Sequence, residues 1–313
     1  MSTKTALIVD GYAYIFRSFY SVPSLKTKLG VEVNAVFGFF NHIIGLILNL
    51  NPDYVFIALD SKESGFRDEI FEAYKANRPS CPVELKHQFD IIKTGIESCG
   101  LKVVQKHGVE ADDMIASLAF FVESKNIKGI ICSKDKDLMQ LIKDDKIEFY
   151  DDKQKTFIKE ADVMCKFGVP PKYISDYLAL VGDSADNIPG AKNIGPKKAA
   201  TIITAHGSIE NIYNNIHLLS EDVKKLLEDS KENVLMSKRL TSLMQQADII
   251  EDIEFANLSG LNLDGGSEFF KSLGMASVKT RFTNLVASLN PVTQVQKTPI
   301  LQSAAMQDEL FPL

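Results

Sequence analysis

The first half of the chain alternates short apolar runs with longer segments of helical period. The apolar runs are continuous rather than alternating, which is typical of strands that are buried on both faces of a parallel sheet. We predict strands at 6–10, 54–60, 101–105 and 127–135. We predict helices between them, at about 34–50, 66–76, 83–99 and 110–125. This alternation predicts an α/β fold, with a mostly parallel central sheet flanked by helices.

The second half of the chain is predicted to be helical, because strand signals fade after about residue 159. The predicted helices are 159–167, 172–182, 196–206, 208–215, 220–241 and 267–289. Several of them begin after a serine or end at a glycine, as helix ends commonly do. We therefore expect an α/β core at 1–158, a smaller helical domain at 159–290, and a tail at 291–313 with little structure of its own.

Composition limits the class of protein but does not define it. The chain has 313 residues, enough for about two domains, and its net charge of −6 disfavours a protein that coats DNA or membranes by bulk positive charge. The four cysteines form no C-x-x-C pair, which predicts reduced thiols. The apolar run near the N-terminus is too short for a secretory signal, and the stretch 36–50 is too short for a membrane span. We expect a soluble, cytoplasmic protein.

Acidic residues follow every predicted strand of the first half. They are Asp10, Asp60, Glu110, Asp112, Asp113, Asp135 and Asp137. Because the carboxyl ends of parallel strands meet at one edge of a sheet, we expect these side chains to converge there. A further pair, Asp183 and Asp186, is spaced so that both can lie on one face of a helix.

Each acid taken alone has an ordinary structural explanation. An Asp after a strand is usually a turn residue or a helix N-cap, and acids that open a helix complement its dipole. The repetition at all four strands favours a shared site. Converging carboxylates raise one another's pKa values unless cations neutralise them, and oxygen ligands without His or Cys favour Mg²⁺ or Mn²⁺. Two such ions about 3.5–4 Å apart can clamp a phosphodiester.

Two segments are candidates for nucleic-acid contacts. The acid-free stretch 187–209 contains a Gly195-Pro196 helix start and three lysines, Lys192, Lys197 and Lys198. Free backbone amides and lysines there make a phosphate site that does not read sequence, although an ordinary helix start with surface lysines is an equal alternative. The segment 66–82 interleaves basic and aromatic residues, as single-strand channels do, but its acids also fit a simple amphipathic helix. The Tyr and Arg residues at 12–20 either contact nucleic acid or fill the core.

Five motifs in this order resemble the 5′-nuclease family, in particular the 5′→3′ exonuclease domain of bacterial DNA polymerase I, with kinship to flap endonucleases and phage exonucleases. They are LIVDGYAYIFRSFY at 7–20, FIALDSKESGFRDEIFEAYKANRP at 56–79, GVEADDMIASLA at 108–119, ICSKDKDLMQL at 131–141 and GDSADNIPGAKNIGPKKAA at 182–200. The resemblance covers about residues 1–290. It implies the PIN-like core of that family, with a helical arch and a helix-hairpin-helix element.

The resemblance implies a role for each matching residue. One metal ion would be bound by Asp10, Asp60, Glu110 and Asp112, and a second by Asp135, Asp137, Asp183 and Asp186, with Asp113 nearby. Asp10 and Asp112 would be catalytic, with Lys75 and Arg78. The region 62–99 matches the arch that the 5′ strand passes. The implied DNA contacts are Tyr14, Arg17, Arg67, Tyr74, Lys75, Arg78, Lys192, Gly195, Lys197 and Lys198. Residues 183–206 match the helix-hairpin-helix, which often holds K⁺.

The implied activity is that of a metal-dependent 5′→3′ exonuclease or 5′-flap endonuclease. Its substrates would be branched, nicked or 5′-flap DNA in replication and repair, including RNA-primer removal and Okazaki fragment processing. Mg²⁺ would be the cofactor, with Mn²⁺ as a substitute, and the enzyme would be associated with the nucleoid. No polymerase domain follows, so we expect a free-standing enzyme or a fragment of a polymerase. A separate DNA polymerase would then be a partner.

The sequence departs from the family pattern at two places. Asn193 stands where a second hairpin glycine is common, but Asn tolerates positive φ, so we expect the hairpin to form. Asp10 is followed by Gly-Tyr-Ala-Tyr, where small hydroxyl residues are common. The tail adds Gln307, Leu310 and Phe311, which resemble the bacterial sliding-clamp binding pentapeptide; a frayed terminus is the alternative.

Two other classes of protein stay open. A phosphotransfer protein, either phosphatase-like or a receiver, could use Asp10 as a nucleophile. Phosphatases of that kind need an acid two residues later, where this chain has Tyr12, and a receiver has no use for Asp183 and Asp186. The other class is a non-catalytic binder of branched DNA, or an RNA-cleaving nuclease of the PIN type. The full set of acids argues against a dead site, and the hairpin favours duplex DNA over RNA.

Overall fold

A six-stranded sheet forms the centre of the computed structural model, which describes residues 3–61, 63, 65–246 and 249–289. The strands are β1 (Thr5–Asp10), β2 (Tyr54–Ala58), β3 (Lys102–Val104), β4 (Lys128–Cys132), β5 (Ile147–Asp151) and β6 (Thr156–Ile158). They lie in the order β3-β2-β1-β4-β5-β6. The first five strands are parallel and β6 pairs antiparallel with β5. The mostly parallel α/β fold is confirmed, whereas the short β5–β6 hairpin was not predicted.

Five helices belong to the first half of the chain. They are α1 (Gly11–Ser21), α2 (Asn34–Leu50), α3 (Phe66–Ile70), α4 (Val83–Ser98) and α5 (Ala111–Ser124). The sequence did not predict α1, since its five aromatic residues obscure the polar face. The predicted helix at 66–76 stops at Ile70, and Lys75 then takes a left-handed conformation with φ of 55°.

Eight helices make up the rest of the described chain. They are α6 (Glu160–Phe167), α7 (Ile174–Val181), α8 (Pro196–His206), α9 (Ile209–Asn214), α10 (Glu221–Asp229), α11 (Lys231–Thr241), α12 (Leu263–Ser272) and α13 (Ala276–Leu289). The predicted helix 220–241 is broken at Ser230. The predicted helix 267–289 begins earlier and turns at Gly274, whose φ is 74°.

Two apolar clusters lie on opposite faces of the sheet, and β1 shows why its sequence is continuously apolar. Ala6 and Ile8 point to a cluster shared with α5 and with α6–α11. Leu7 and Val9 point to a cluster shared with α1, α2 and α4. A strand that is covered on both faces has no polar side, so alternation is absent.

The last two helices do not belong with the rest of the predicted helical domain. Phe270 of α12 packs against Phe40 of α2, with ring centroids 5.0 Å apart, and Phe282 of α13 lies in the same cluster. Gly95 of α4 leaves room for α12 to approach, because a Cβ at this position would lie 2.5 Å from the ring of Phe269, the neighbour of Phe270. The predicted boundaries 159–290 therefore need correction: α12 and α13 return to the α/β core.

Helix α4 is also part of the core. Its residues Leu85, Ile92 and Ile96 are fully buried. The buried Gln88 side chain accepts a hydrogen bond of 2.8 Å from the backbone amide of Ala35, at the start of α2. The predicted arch at 62–99 therefore needs correction at its end, because α4 packs in the core.

Two further expectations concern the environment of the chain. All four cysteines, Cys81, Cys99, Cys132 and Cys165, are free thiols. Among the described residues, no helix has both the length and the apolar character needed to cross a bilayer.

Candidate active site

The topology opens a crevice at the carboxyl edge of the sheet. The connections from β1 and β4, which are neighbours at its centre, run to opposite sides, and ligands bind at such switch points in α/β sheets. A cavity of about 850 Å³ lies there. The acids that line it are Asp10, Asp60, Asp112 and Asp135. Residues from four separate chain crossings meet at this edge, as the sequence predicted.

Asp10 is held by both of its carboxylate oxygens. It is the N-cap of α1, where Oδ1 accepts a hydrogen bond from the Ala13 amide at 3.0 Å. The Ser133 hydroxyl, which the sequence did not indicate, donates to Oδ2 at 2.6 Å. Burial raises the pKa of Asp10 to about 6, although these two hydrogen bonds oppose the shift. The carboxylate is therefore rigid and poorly solvated.

Asp60 and Asp112 meet at the start of α5. Asp60 Oδ1 accepts a hydrogen bond of 2.7 Å from the Ala111 amide, one of the free donors of the helix N-terminus. Burial raises the pKa of Asp60. Burial, followed by the negative charges of Asp135 and Asp10, raises the pKa of Asp112 well above its ordinary value. These groups resist sharing one low-dielectric space without a cation.

The loop after β4 supplies Asp135 and Asp137. The Asp137 amide donates to Asp135 Oδ1 at 2.8 Å, which orients the first carboxylate toward the cavity. Burial, and then the charge of Asp135, raises the pKa of Asp137 to about 7. Among the described residues, Asp137 Oδ1 is the buried side-chain atom without a hydrogen-bond partner. A buried carboxylate oxygen without a partner is a natural ligand for a cation.

Basic side chains bind the remaining acids. The pairs are Lys75 with Glu110 at 2.8 Å, Lys136 with Asp183 at 2.9 Å, and Arg78 with Asp186 at 2.5 Å. Although burial opposes it, the charges of Lys75 and Arg67 lower the pKa of Glu110. With the acids held apart in this way, no three His, Cys, Asp or Glu side chains in the described chain enclose a single metal-sized point. Lys136 was not predicted.

Arg67 and Asp113 require a correction, because they form a buried structural ion pair. Their side chains face each other in bidentate fashion at 2.7 and 2.9 Å, and the residues are 2% and 1% exposed. Arg67 also donates to the carbonyls of Leu240 and Ser242, and Asp113 accepts from the Met244 amide. Arg67 is therefore unavailable to DNA phosphates, and Asp113 points away from the cavity.

Two tyrosines expected at the DNA are core residues. Tyr14 is 4% exposed and packs edge-on against His42 at 5.7 Å. Tyr74 is 6% exposed, and its hydroxyl lies 3.4 Å from Glu110. Neither ring presents a face on which a base can stack. Arg17, by contrast, lines the acidic cavity and pairs with Asp152 at 2.7 Å.

The segment 71–79 bridges the acidic cavity to the helical half of the chain. The Lys75 amide donates to the Asp186 carbonyl at 3.0 Å, and the Asn187 side chain donates to the Ala73 carbonyl at 2.7 Å. Asp183 and Asp186 do not share a helical face as predicted. They lie in a tight turn closed by paired hydrogen bonds between Asp183 and Ile188. The turn brings Asp186 to Arg78, which lines the cavity, and Asp183 to Lys136.

The predicted hairpin forms between α7 and α8. Asn193 has φ of 63°, so Asn does replace glycine there as expected. Lys192, Gly195, Lys197 and Lys198 are exposed, and α8 begins at Pro196 as predicted. Two hairpin amides, those of Gly190 and Lys192, already donate to the hydroxyls of Ser237 and Ser230. The amides at the start of α8 are left as the candidate phosphate donors.

Comparison with known proteins decides the family. A model described as the N-terminal resolvase-like domain of 5′-3′ exonuclease matches residues 5–168, and one described as the C-terminal SAM fold of 5′-3′ exonuclease matches residues 169–264. The chain belongs to the 5′-3′ exonuclease family. It is an enzyme, a nuclease that hydrolyses phosphodiesters, and the resemblance drawn from the motifs is confirmed.

The chain matches exonucleases of similar length and also one part of a much longer protein. A 5′-3′ exonuclease of Aquifex aeolicus is 38% identical over 246 residues, which cover 79% of this chain and 84% of that protein. A 5′-3′ exonuclease of Buchnera aphidicola is 33% identical over 266 residues, 82% of this chain and 92% of that protein. DNA polymerase I of Mycobacterium leprae is 32% identical over 298 residues, but the match spans only 33% of its length.

Solved structures share the fold. The metal-bound bacteriophage T5 D15 protein superposes with a TM-score of 0.65 at 21% identity, covering 91% of this chain and 99% of its own. The catalytic core of Rad2, in complex with DNA substrate, superposes with a TM-score of 0.58 at 16% identity, covering 92% and 93%. The predicted tail residues Gln307, Leu310 and Phe311 lie outside the described residues.

Proposed function

We propose that this nuclease is Mg²⁺-dependent and acts on branched, nicked or 5′-flap DNA, with two cations bound by the acids of the sheet edge. The observation that carries the proposal is the convergence of Asp10, Asp60, Asp112 and Asp135 on one cavity. Asp10 is buried and the other three are half-buried, and burial raises the pKa of all four carboxyl groups. Carboxylates gathered in this way, without a histidine among the lining residues, suit a hard divalent ion.

The oxygen chemistry of the donor set suits two cations at different positions, once the pairs of Glu110, Asp183 and Asp186 with basic side chains open. Asp10, Asp60, Glu110 and Asp112 would hold one, and Asp135, Asp137, Asp183 and Asp186 the other, while Asp113 is withdrawn from the proposal. When bound, such ions supply an activated water and charge stabilisation for the leaving oxygen. Mn²⁺ would substitute, since it accepts the same oxygen ligands.

The residues of this chain would hold and orient the DNA strand. Lys75 and Arg78 line the cavity opposite the acids, where their charges would meet the scissile phosphate. Arg17 lies on a third side, on α1. We propose catalytic roles for Asp10, Asp112, Lys75 and Arg78, and we expect no covalent intermediate with the protein.

The duplex would rest on the hairpin and the start of α8. Lys192, Lys197 and Lys198 are exposed there beside free helix amides, an arrangement that binds phosphates without reading sequence. We propose that K⁺ binds at the same hairpin. The solved relatives support the substrate class: one is a T5 D15 flap endonuclease in complex with DNA and metal ions, and Rad2 is in complex with DNA substrate.

We propose a role in replication and repair, including RNA-primer removal and Okazaki fragment processing. DNA polymerase I relatives, whose length the chain covers by about a third, support this role. A separate DNA polymerase would then be a partner, and the tail residues Gln307, Leu310 and Phe311 would bind a sliding clamp. A peptide of residues 297–313 should bind a clamp, and a Leu310→Ala, Phe311→Ala peptide should not; equal binding by both peptides would contradict the assignment.

A single cleavage assay tests the proposed function. A labelled 5′-flap duplex is incubated with the protein and Mg²⁺, with a chelator, and with an RNA counterpart of the flap substrate. We expect cleavage near the branch with Mg²⁺ and none with the chelator. Cleavage of the RNA counterpart alone would favour the PIN-type alternative, and an intact flap with both Mg²⁺ and Mn²⁺ would refute the proposal.

Replacing Lys197 and Lys198 by Ala should weaken duplex binding and flatten its dependence on salt. Each lost phosphate contact reduces the slope of log K against log salt concentration by about one, so the slope should fall by about two. The dependence of cleavage on Mg²⁺ should stay unchanged. A Lys271→Ala, Lys279→Ala variant on α12 and α13 is the control and should keep the original slope.

Mg²⁺ should stabilise the protein more at pH 8 than at pH 5.5. The pKa values of Asp10 and Asp137, about 6 and about 7, exceed their ordinary value of 3.8, so a cation must displace protons below this range. Without metal, these protonated groups favour folding below about pH 4, and that contribution is lost as the pH rises through 6 to 7. Tm measured from pH 5 to 8, with and without MgCl₂, tests this; a pH-independent shift contradicts it.

A further inference from the structure

A second cavity lies beside the acidic one. It measures about 760 Å³ and lies between the β5–β6 hairpin and α6, and we name it the hairpin cavity. Its apolar wall consists of Met139, Phe149, Phe157, Ile158 and Val163. Ser133, whose hydroxyl binds Asp10, lines its other side. The two cavities are therefore separated by little more than one strand end.

A basic ridge separates the two cavities and lines both. It consists of Arg17, Lys134 and Lys153. Lys134 follows β4 and Lys153 lies in the β5–β6 turn, so the ridge joins two neighbouring strands. Lys134 and Lys153 are exposed. Within the described part of the chain, neither ammonium group forms a hydrogen bond or an ion pair.

The acids of the hairpin cavity are already occupied within the protein. Asp151 accepts hydrogen bonds from the amides of Lys153 and Gln154 at 2.8 and 3.0 Å. Asp152 pairs with Arg17 at 2.7 Å, and Asp162 caps α6 by accepting from the Lys159 amide at 2.8 Å. The carboxylates are thus satisfied while two ammonium groups are not, so the cavity favours an anionic ligand.

We propose that the hairpin cavity binds one nucleotide, with its base on the apolar wall and its phosphate on Lys134 and Lys153. The volume lies within the range of about 300–1,000 Å³ that is usual for small-molecule sites, and an apolar wall with a few convergent polar groups is their usual lining. The phosphate would lie on the ridge, within reach of the acidic cavity on its other side.

The source of the nucleotide follows from the proposed function, on which this inference rests. A 5′ nuclease leaves a phosphate on the product at the acidic cavity, directly across the ridge. The bound unit is either a released 5′-mononucleotide or the neighbouring nucleotide of the DNA strand. Both have the same chemistry, an aromatic base with a phosphate, and the test separates them.

The first arm measures binding of dTMP in metal-free buffer by calorimetry. Because Lys75 and Arg78 could also attract phosphate to the acidic cavity, the same titration is made with Arg78→Met, which leaves the ridge intact; unchanged dTMP binding assigns the ligand to the hairpin cavity. We expect dTMP to bind at least about tenfold more tightly than deoxyribose 5-phosphate or inorganic phosphate, because only dTMP carries a base. A Lys134→Ala, Lys153→Ala variant should weaken dTMP binding by about tenfold or more. Lys134→Arg with Lys153→Arg should restore it.

The second arm measures cleavage of a 5′-flap duplex by the same variants. If the site takes a nucleotide of the strand, Lys134→Ala with Lys153→Ala raises KM about tenfold and leaves kcat nearly unchanged, whether or not free dTMP binds. A Lys93→Ala, Lys279→Ala variant, with lysines outside both cavities, is the matched control for charge in both arms.

The outcomes are decisive in each direction. Tight dTMP binding that depends on the two lysines supports a product site, and a KM effect alone supports a strand site. The proposal is overturned if phosphate binds measurably and as tightly as dTMP, or if the alanine variant changes neither dTMP binding nor KM. Because the first arm needs no catalysis, a wild-type protein that binds dTMP without cleaving flaps would refute the proposed function and not this site.

Discussion

Replacing Asp112 by Asn should reduce the rate of flap cleavage by about 10³-fold or more while duplex binding changes little. Asp112 lies between Asp10 and Asp135 in the acidic cavity, where its charge would bind a cation. Loss of one carboxylate ligand removes several kcal/mol of transition-state stabilisation, and each 1.36 kcal/mol corresponds to a factor of about ten in rate. The lysines that we propose to bind the duplex, Lys192 before α8 and Lys197 and Lys198 on it, are untouched. Single-turnover cleavage and gel-shift binding measure the two effects.

Thermal stability separates this loss from misfolding. The negative charges of Asp135 and Asp10 contribute to the raised pKa of Asp112, so a neutral Asn relieves repulsion in the metal-free protein. We expect the metal-free Tm of Asp112→Asn to stay equal or rise. Asp222→Asn, an exposed substitution in the first turn of α10, is the control and should change neither cleavage nor Tm. Retained cleavage by Asp112→Asn would refute the assignment of Asp112.

Replacing Arg67 by Met should destabilise the protein by about 3–5 kcal/mol, because the buried carboxylate of Asp113 loses its partner. Two backbone carbonyls, of Leu240 and Ser242, also lose their donor. For a domain of this size the Tm should fall by about 10 °C. Cleavage measured well below the new Tm should persist, since the side chain is 2% exposed and cannot reach a DNA phosphate. Glu110, which also pairs with Arg67 at 2.8 Å, keeps its ion pair with Lys75.

Arg78→Met is the matched control, because it removes the same charge from the edge of the cavity. The Arg78 side chain is 49% exposed and Asp186 is buried, so loss of this pair should cost less stability than loss of the Arg67–Asp113 pair, which is buried on both sides. We expect a smaller change in Tm and a larger loss of cleavage than in Arg67→Met. A double variant, Arg67→Met with Asp113→Leu, should recover part of the lost stability, since it removes both buried charges. A cleavage defect without a Tm defect in Arg67→Met would restore its predicted role at the DNA.

The sequence placed four acids correctly at the sheet edge but did not separate the adjacent Asp112 and Asp113 of α5. Asp10, Asp60, Asp112 and Asp135 were predictable, because the ends of parallel strands have only one place to meet. Asp113 is one residue beyond Asp112 in the same helix, and a step of about 100° turns its side chain from the cavity to the interior. Motif matching does not show which of two adjacent acids faces the site.

The basic residues show the same limit more sharply. Arg67, Lys75 and Arg78 are basic residues of one segment, and the sequence analysis assigned all three to DNA contacts. The structure separates them, because α3 ends at Ile70 and the chain then turns onto the loop that contains Asp186. Arg67 lies in the interior, where its side chain binds α5 and the end of α11. Lys75 and Arg78 instead line the cavity.

The sequence by itself determined the first four strands and their parallel arrangement, the acids at their ends, and the hairpin with Asn193 at positive φ. Each of these depends on local pattern and on parallel pairing. Only the tertiary structure decided which charges are buried as ion pairs, that α12 and α13 pack on α2 and α4, and that a second cavity lies behind Ser133. These features depend on contacts between residues far apart in the chain. Such contacts leave no period or spacing in the sequence to read.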